Sequence, residues 1–375
     1  PCAAVIVRRR LPPGGRVSIR FLLGFAARET AALRYPSLAW KQTAHTMLVP
    51  RLRTPDRALD LLCEWLPRQI LACRINARTG FYQCGGAWGF RDQLQDSLAA
   101  LWLDPAVTRR QLMRCAAAQF EEGDVLHWWH ALTGAPPRGV RTRCSDDLVW
   151  LPFAAVEYAD FTGDAGVWEV RVRWLSGPPL AQEEQERYFE PDRTQHADTL
   201  YEHCVRALDR AMTAGEHGLP LIGSGDWNDG FNRVGEQGRG ESVWLAMFLC
   251  MTLERFAPVC ARRGDEGRAQ RYLAAAQAYR RAADACFDGD RFLRAYLDDG
   301  TPLGRADADA CALDSLSQSF AVLCGLPPEK TGPALDTALR ELIDRRSGVI
   351  KLFTPPFDHN ERRVGYIASY PSGVR

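Results

Sequence analysis

The chain has 375 residues, 46% of them hydrophobic and 25% charged, and its formal net charge at pH 7 is +1. This composition allows a large buried core in one or two domains. Because 47 Lys and Arg residues nearly balance 46 Asp and Glu residues and no segment is densely basic, nucleic acid and direct membrane contact are poor expectations. A neutral, polyhydroxylated ligand suits such a surface better.

The twelve cysteines are scattered from Cys2 to Cys324 without a C-x-x-C pair or a zinc-type Cys/His spacing. We therefore predict buried reduced thiols, no metal, and a cytoplasmic protein or the cytoplasmic part of an inner-membrane protein. The longest apolar run, residues 243–253, is shorter than the roughly 20 residues of a membrane helix. Since the chain begins at Pro1 rather than at Met, we expect it to be a piece of a longer protein.

The first segment has β character. Residues 3–7 and 17–23 are rich in β-branched residues, and they flank Pro12-Pro13-Gly14-Gly15, which is typical of a hairpin turn. Two strands alone are not a stable unit. We therefore interpret residues 1–25 as the trailing strands of an upstream β-sandwich domain and residues 26–53 as a linker.

From Thr54 onward the apolar periodicity is helical. Thr54 and Asp104 each precede a proline, which predicts that both are helix N-caps. Further helices are predicted over about 91–103, 146–161, 197–213, 241–263, 266–286, 313–325 and 332–345. Many helices with few strands favour either a helical solenoid or an (α/α) toroid over residues 54–375. Long loops rich in glycine, aromatic and charged residues precede several helices, and they favour the toroid.

One of these loops, Gly225–Gly230, holds two carboxylates, an indole and an amide between glycines. A sugar site needs a flat apolar face, carboxylates that accept hydrogen bonds from hydroxyls, and an acid that protonates a leaving oxygen. Helix capping and a calcium loop are the alternatives, but Gly230 and Phe231 stand where an EF-hand needs Asp or Asn and then Gly. We predict that this loop is the catalytic centre, with Asp226 as a supporting or capping carboxylate.

Two histidines and two acids elsewhere have plainer interpretations. His127 and His130 are three residues apart, and without an acid at ligand spacing we predict rim or packed histidines rather than metal ligands. Asp146 and Asp147 follow Ser145. This pattern predicts an N-cap with acids in the first helical turn, and substrate contact is the second interpretation.

Five motifs stand in order along the chain: Gly89-Phe-Arg-Asp-Gln-Leu-Gln-Asp96, Arg141-Thr-Arg-Cys-Ser-Asp-Asp147, Gly225-Asp-Trp-Asn-Asp-Gly230, Gly240-Glu-Ser-Val-Trp244 and Tyr370-Pro-Ser-Gly-Val-Arg375. Together they resemble glycoside hydrolase family 94 from about Asp56 to the end of the chain. Within that family they look most similar to the phosphorylase region of cyclic β-1,2-glucan synthases and to β-1,2-oligoglucan phosphorylases. Cellobiose phosphorylases are more distant.

The resemblance implies a β-sandwich followed by an (α/α)6 barrel. It also implies inverting phosphorolysis of a β-glucoside to α-glucose 1-phosphate, with an oligosaccharide and inorganic phosphate as partners, no cofactor, and a homodimer left open. The implied general acid is Asp229, the implied donor-subsite contacts are Arg91, Asp92 and Trp227, and the implied acceptor-side contacts are Tyr370 and Arg375.

Inverting cleavage needs one protonated acid at the glycosidic oxygen and a nucleophile on the opposite face of the ring. Phosphate is already an anion, so no second carboxylate is needed as a base. We expect Asp229 to hold its proton in a desolvated site, with help from repulsion by Asp226.

The family pattern continues past the Tyr-Pro-x-Gly segment into groups that bind phosphate, whereas this chain ends at Arg375. We therefore expect a barrel that is incomplete at its C-terminus, a glucoside site, and no efficient phosphorolysis by these 375 residues. Two alternatives stay open. One is an inverting hydrolase on the same barrel, which needs a further carboxylate to activate water, and the other is a non-catalytic glucan-binding module.

Overall fold

The computed structural model describes residues 6–19, 52–71, 75, 86–131, 133–357 and 364–370. The chain divides into two compact units, Pro1–Met47 and Leu48–Arg375. Within residues 6–19 a turn is closed by a 2.9 Å hydrogen bond from the Gly15 N–H to the Pro12 carbonyl, but those residues contain no strand. The β-sandwich and the division of the chain into these three segments therefore stay predictions.

The second unit is mainly helical, as predicted. Every helical span predicted from residue 91 onward overlaps one of the observed helices. The helices among the described residues are α1 (Arg57–Gln69), α2 (Phe90–Ala100), α3 (Pro105–Ala116), α4 (Asp147–Thr162), α5 (Leu200–Ala211), α6 (Val243–Arg262), α7 (Glu266–Ala285), α8 (Ser315–Leu323) and α9 (Pro328–Glu341).

Capping residues set the helix starts. Asp104 caps α3 by accepting a 3.1 Å hydrogen bond from the Ala106 N–H, as predicted. The start predicted at Thr54-Pro55 is wrong by two residues, because Asp56 rather than Thr54 caps α1 and accepts hydrogen bonds from its first turn. The aspartate competes better for the free N–H groups, since it carries a charge that matches the helix dipole.

Short strands are more numerous than the helical pattern indicates. They are β1 (Ala87–Gly89), β2 (Leu126–His130), β3 (Gly139–Thr142), β4 (Arg171–Ser176), β5 (Glu186–Phe189), β6 (Asp192–Thr199), β7 (Glu241–Ser242), β8 (Ala295–Tyr296), β9 (Pro302–Leu303), β10 (Leu313–Asp314), β11 (Ile343–Asp344), β12 (Val349–Ile350) and β13 (Phe353–Thr354). The largest sheet is antiparallel in the order β1-β2-β3-β5. Most of these strands are too short to give a period-2 signal.

Helix α6 is the centre of the main core. It packs against α4, α7 and α8, and most of its residues from Val243 to Cys260 are buried. The helix has 20 residues, more than the apolar run suggests, and by length and composition alone it could cross a membrane. However, 78% of its most apolar window is buried inside the protein, as expected of the core helix of a globular domain.

The loop that holds Gly225–Gly230 is pinned against the segment before α4. The Ser145 N–H donates to the Gly225 carbonyl at 2.9 Å, and Cys144 forms a bridge with Gly223. Gly223 has a φ of +61°, and a Cβ there would lie 2.1 Å from the Arg143 carbonyl oxygen. Only glycine fits this close approach, which brings the loop to the start of α4.

Candidate active site

A cavity of about 1390 Å³ opens where α2, the sheet β1-β2-β3-β5 and the Gly225–Gly230 loop meet. Residues 349–354 and Tyr366 close another part of its wall. Four of the residues predicted for the site lie together on this wall, namely Arg91, Asp92, Trp227 and Asp229. The sequence motifs therefore converge on one cavity, although Arg91 and Asp229 are 138 positions apart.

Of the two predicted acceptor-side residues, Tyr370 does not line the cavity. Tyr370 packs beside a small hydrophobic cluster formed by short strands and turns, and its ring centroid lies 6.2 Å from that of Tyr366. Tyr366, which the sequence did not single out, lines the cavity instead. Arg375 lies outside the described residues, so its contact stays a prediction.

Asp229 begins a short 3-10 turn in which the Gly230 N–H donates to Asn228 Oδ1 at 3.0 Å. Its carboxyl group is 35% exposed. Arg91 Nη2 donates to Asp229 Oδ1, and His127 Nε2 lies 3.6 Å from the same oxygen. The candidate acid therefore stands between two basic side chains on the cavity wall.

Arg91 ties three parts of the site together. Its guanidinium is buried, and Nη1 donates to Asp146 Oδ1 at 2.8 Å and to the Asp226 carbonyl at 2.7 Å. Burial alone would lower the pKa of Arg91, but Asp146 and Asp229 hold it well above its usual value. Arg91 is therefore a fixed positive charge that joins α2, α4 and the Gly225–Gly230 loop.

The predicted N-cap at Ser145 is wrong. The Ser145 hydroxyl donates to the Ile222 carbonyl at 2.9 Å, and α4 has no side-chain cap at all. The N-cap position belongs to Asp146, whose carboxylate instead accepts hydrogen bonds from Arg91 and from the Trp150 indole. Burial raises the pKa of Asp146 to about 6, even though Arg91 opposes the shift. This acid belongs to the site network rather than to the helix start.

His127 enters the cavity from a bulge in β2, where the register shifts between Leu126 and Trp128. Such bulges redirect a side chain out of the regular alternation. His127 Nδ1 lies 2.7 Å from Asp147 Oδ2. Burial alone would lower the pKa of His127, but Asp147 and then Asp229 raise it to about 9. The imidazole is therefore positively charged at neutral pH, and the acids around it supply the stabilisation.

The shifted pKa of His127 predicts a pH-dependent stability. Because the folded-state pKa is about 9 and the unfolded value about 6.5, the stabilisation is complete below pH 6.5 and is lost as the pH rises through 9. At low pH this contribution to the free energy of unfolding is about 3 kcal/mol. We expect His127→Gln to lack it, so that its free energy of unfolding varies less with pH. Urea unfolding at pH 6, 7.5 and 9 measures it.

The control is His196→Gln, which removes a histidine whose side chain is 48% exposed. His196 pairs with Glu121 and Asp198 at the surface, where solvent screens the charges. This variant should therefore change the slope of unfolding free energy against pH less than His127→Gln does. If His127→Gln keeps the slope of the unsubstituted protein, the charge on His127 is not coupled to folding.

Three possible ligand atoms, from His127, Cys144 and Asp229, lie within 4.8 Å of one another. A cation among them would meet the guanidinium of Arg91, whose Nη1 donates to Cys144 Sγ at 3.5 Å. Burial raises the pKa of the Cys144 thiol well above its usual value, whereas a metal requires the thiolate. Since His127 is also protonated at neutral pH, these residues fit a metal ion poorly.

Asp226 has a structural partner that the sequence did not indicate. Arg294 Nη1 and Nη2 each lie 2.6 Å from the Asp226 carboxylate, and the Ser242 hydroxyl donates to it at 2.7 Å. Burial alone would raise the pKa of Asp226, but Arg294 holds it below the usual value. Because this charge is compensated, the expected repulsion of Asp229 by Asp226 is not supported. Asp226 instead anchors the Gly225–Gly230 loop.

Carboxylates, an arginine and an indole on one large cavity of a helical domain are typical of a carbohydrate-active enzyme. The model of the family described as "Glycosyl hydrolase 94 superfamily, catalytic domain" matches residues 39–375. The chain belongs to this family, as its motifs predict.

Curated relatives are similar over most of the chain. It is 46% identical over 331 residues to the cyclic beta-(1,2)-glucan synthase NdvB of Rhizobium meliloti (strain 1021), an alignment that covers 87% of this chain and 12% of that protein. It is 30% identical to the 3-O-beta-D-glucopyranosyl-beta-D-glucuronide phosphorylase of Paenibacillus borealis, over 86% of this chain and 39% of the relative. It is 29% identical to the cellobionic acid phosphorylase of Neurospora crassa, in an alignment that covers 100% of this chain and 46% of that protein. The chain thus spans less than half the length of each relative.

Proposed function

We propose that this chain supplies the general acid and the glucosyl subsite of an inverting β-glucoside phosphorylase built on an (α/α)6 barrel. The observation that carries the proposal is the position of Asp229 on a cavity of about 1390 Å³, together with Arg91, Asp92 and Trp227. The family and the phosphorylases among its relatives support the reaction type. The similarity to a glucan synthase favours β-1,2-linked glucan oligosaccharides as substrates.

In the proposed reaction Asp229 gives its proton to the glycosidic oxygen as the bond to the anomeric carbon breaks. A phosphate oxygen attacks that carbon from the opposite face, and the product is α-glucose 1-phosphate with inverted configuration. Trp227 offers its ring to the apolar face of the glucosyl unit, and Asp92 accepts hydrogen bonds from its hydroxyls. No second carboxylate is needed, because phosphate is itself the nucleophile.

Arg91 and His127, the cations beside Asp229, stabilise the negative carboxylate that forms when Asp229 gives up its proton. Charge that develops on Asp229 in the transition state is therefore stabilised by Arg91 and His127, which are already in position. The same cations oppose the protonated form before the reaction. We propose that a bound sugar hydroxyl takes over the Arg91 Nη2 donor, which removes one contact that opposes the protonated acid, and that Asp229, whose carboxyl group is 35% exposed, takes its proton from solvent.

Incubation with sophorose oligomers tests the proposal, using both the 375-residue chain and the full reading frame of its gene. We expect the longer protein to release α-glucose 1-phosphate only when phosphate is present, with the anomer identified by NMR. Glucose release without phosphate would instead indicate the hydrolase, and binding without either product would indicate the glucan-binding module. Faster phosphorolysis of cellobiose than of sophorose would contradict the β-1,2 assignment alone.

A further inference from the structure

An aromatic cluster of Trp128, His130 and Tyr188 lies beside the candidate acid but outside the five motifs. It is carried by the sheet β1-β2-β3-β5. In β2, Leu126 and Trp129 are buried, whereas Trp128 and His130 are only partly buried. Since alternate residues of a strand face opposite sides, Trp128 and His130 share the open face.

Strand register extends that face across the sheet. Trp128 pairs with Val140 of β3, and Val140 pairs with Tyr188 of β5. Directly opposed residues in antiparallel strands project to the same side. Trp128, Val140 and Tyr188 therefore form one row, with the two aromatic rings on either side of a buried valine.

The rings hold one another in place. The centroids of Trp128 and Tyr188 are 5.6 Å apart with an interplanar angle of 31°, and His130 meets the Trp128 ring edge-on at 5.2 Å. His130 Nδ1 also lies 2.9 Å from the Tyr188 hydroxyl. Although Tyr188 is 47% exposed, its orientation is set by these contacts. A preorganised aromatic surface loses little entropy when a ligand stacks on it.

The cluster continues the cavity that contains Asp229. Trp128 and His130 line that cavity, and the neighbouring His127 Nε2 is 3.6 Å from the Asp229 carboxylate. With a rise of about 3.4 Å per residue, β2 places His130 roughly 10 Å further along than His127. The aromatic surface therefore begins next to the reacting bond and leads away from it.

Polar groups beside the cluster match hydroxyls rather than anions. Gln185 and Glu186 line the same cavity, and Gln185 Oε1 is buried without a hydrogen-bond partner among the described residues. The carboxylate of Glu186 disfavours a phosphate or an acidic sugar at this position. Aromatic faces next to neutral and anionic acceptors are typical of a subsite for a neutral saccharide.

We propose that Trp128, His130 and Tyr188 form an additional carbohydrate subsite, which binds a glucosyl unit of the glucan chain beyond the units that flank Asp229. The inference rests on the proposed function, because it assumes that a glucan occupies the cavity. It adds a preference for chains of three or more units, which the motif residues alone do not require. In this subsite Trp128 is the main surface on which the glucosyl unit stacks.

Isothermal titration of the protein encoded by the full reading frame with sophorose and with a β-1,2-linked glucopentaose, both without phosphate, tests the subsite. We expect the pentaose to bind at least about tenfold more tightly than the disaccharide. Trp128→Ala should remove most of this difference by weakening pentaose binding about tenfold, while sophorose binding changes less than twofold. Trp128→Phe keeps an aromatic face and should restore most of the pentaose affinity.

The matched control is Trp102→Ala, since Trp102 is 78% exposed and does not line the cavity. It should bind both sugars as the unsubstituted chain does. Circular dichroism and melting temperature show whether each variant folds. Tyr188→Phe provides a second test if Trp128→Ala does not fold, because it removes only the hydroxyl beside His130 and should weaken pentaose binding about threefold.

Equal losses for sophorose and pentaose in Trp128→Ala would overturn the inference, and so would an unchanged pentaose affinity. This test of the subsite does not depend on phosphorolysis, because binding is measured without phosphate. A chain that binds the pentaose through Trp128 but gives no phosphorolysis in its full reading frame would contradict the proposed function and leave the subsite intact.

Discussion

Asp229→Asn is expected to lower kcat for phosphorolysis of sophorose oligomers by about 10²- to 10⁴-fold, the usual contribution of a general acid. The amide matches the carboxyl group in shape but has no acidic proton for the glycosidic oxygen. Sugar affinity should change much less, because Trp227 and Asp92 keep their positions on the cavity wall. Initial rates of α-glucose 1-phosphate release in the full reading frame, together with titration of the variant with sophorose, measure both effects.

A donor with a good leaving group sharpens the test. Since 2,4-dinitrophenolate leaves without protonation, a dinitrophenyl β-glucoside should lose far less rate than sophorose in Asp229→Asn. Asp307→Asn is the control, because Asp307 is 72% exposed and forms a surface pair with Arg305. Equal losses for the two donors would show that Asp229 is not the proton donor.

The position of the site could be predicted from the sequence, whereas its electrostatics could not. Arg91 and Asp229 stand in motifs that resemble a known family, so their convergence on one cavity follows from that resemblance. The partner of Asp226 is different. Arg294 lies 68 residues downstream in no motif, and only the folded chain shows that it compensates the charge expected to act on Asp229.

The sequence predicts a rim or packed histidine at His127, and its role as a cation beside Asp229 was missed for a related reason. Its strand, Leu126–His130, has aromatic residues on both faces, so the sequence shows no apolar alternation. A bulge turns the His127 side chain into the cavity, and no local pattern of residue types predicts a bulge. A signal was present, however. Asp147 belongs to a motif of the family, and a buried acid in a motif requires a cationic partner nearby.

The interpretation of Asp146 and Asp147 as capping acids shows how local rules fail near a site. Acids after a serine usually cap a helix, because the free N–H groups of the first turn are the nearest donors. Here the buried Arg91 and the half-buried His127 are stronger partners, since they carry charge in a place with little solvent. α4 therefore begins without a side-chain cap, and its first acids orient the two cations next to Asp229.

Arg294→Met is expected to destabilise the fold by about 3–5 kcal/mol at pH 7, the cost of breaking a buried ion pair. Arg294 and Asp226 are both 0% exposed, and Arg294 Nε also lies 3.3 Å from Asp314. The variant leaves two buried carboxylates without their cation. Because burial favours the neutral acid, the loss of stability should become smaller as the pH falls toward about 4, the pKa of Asp in the unfolded chain. Urea unfolding at pH 5 and pH 7.5 measures it.

Arg305→Met is the matched control, since Arg305 is 51% exposed in its pair with Asp307. Solvent screens such a surface pair, so this variant should leave the stability nearly unchanged. The double variant Arg294→Met with Asp226→Asn should recover part of the lost stability, because it removes one unpaired charge. A cost that does not vary with pH would mean that lost packing, not charge, is responsible. If the charge is responsible, the same substitution should weaken sophorose binding, because Asp226 then no longer anchors the loop that carries Trp227 and Asp229.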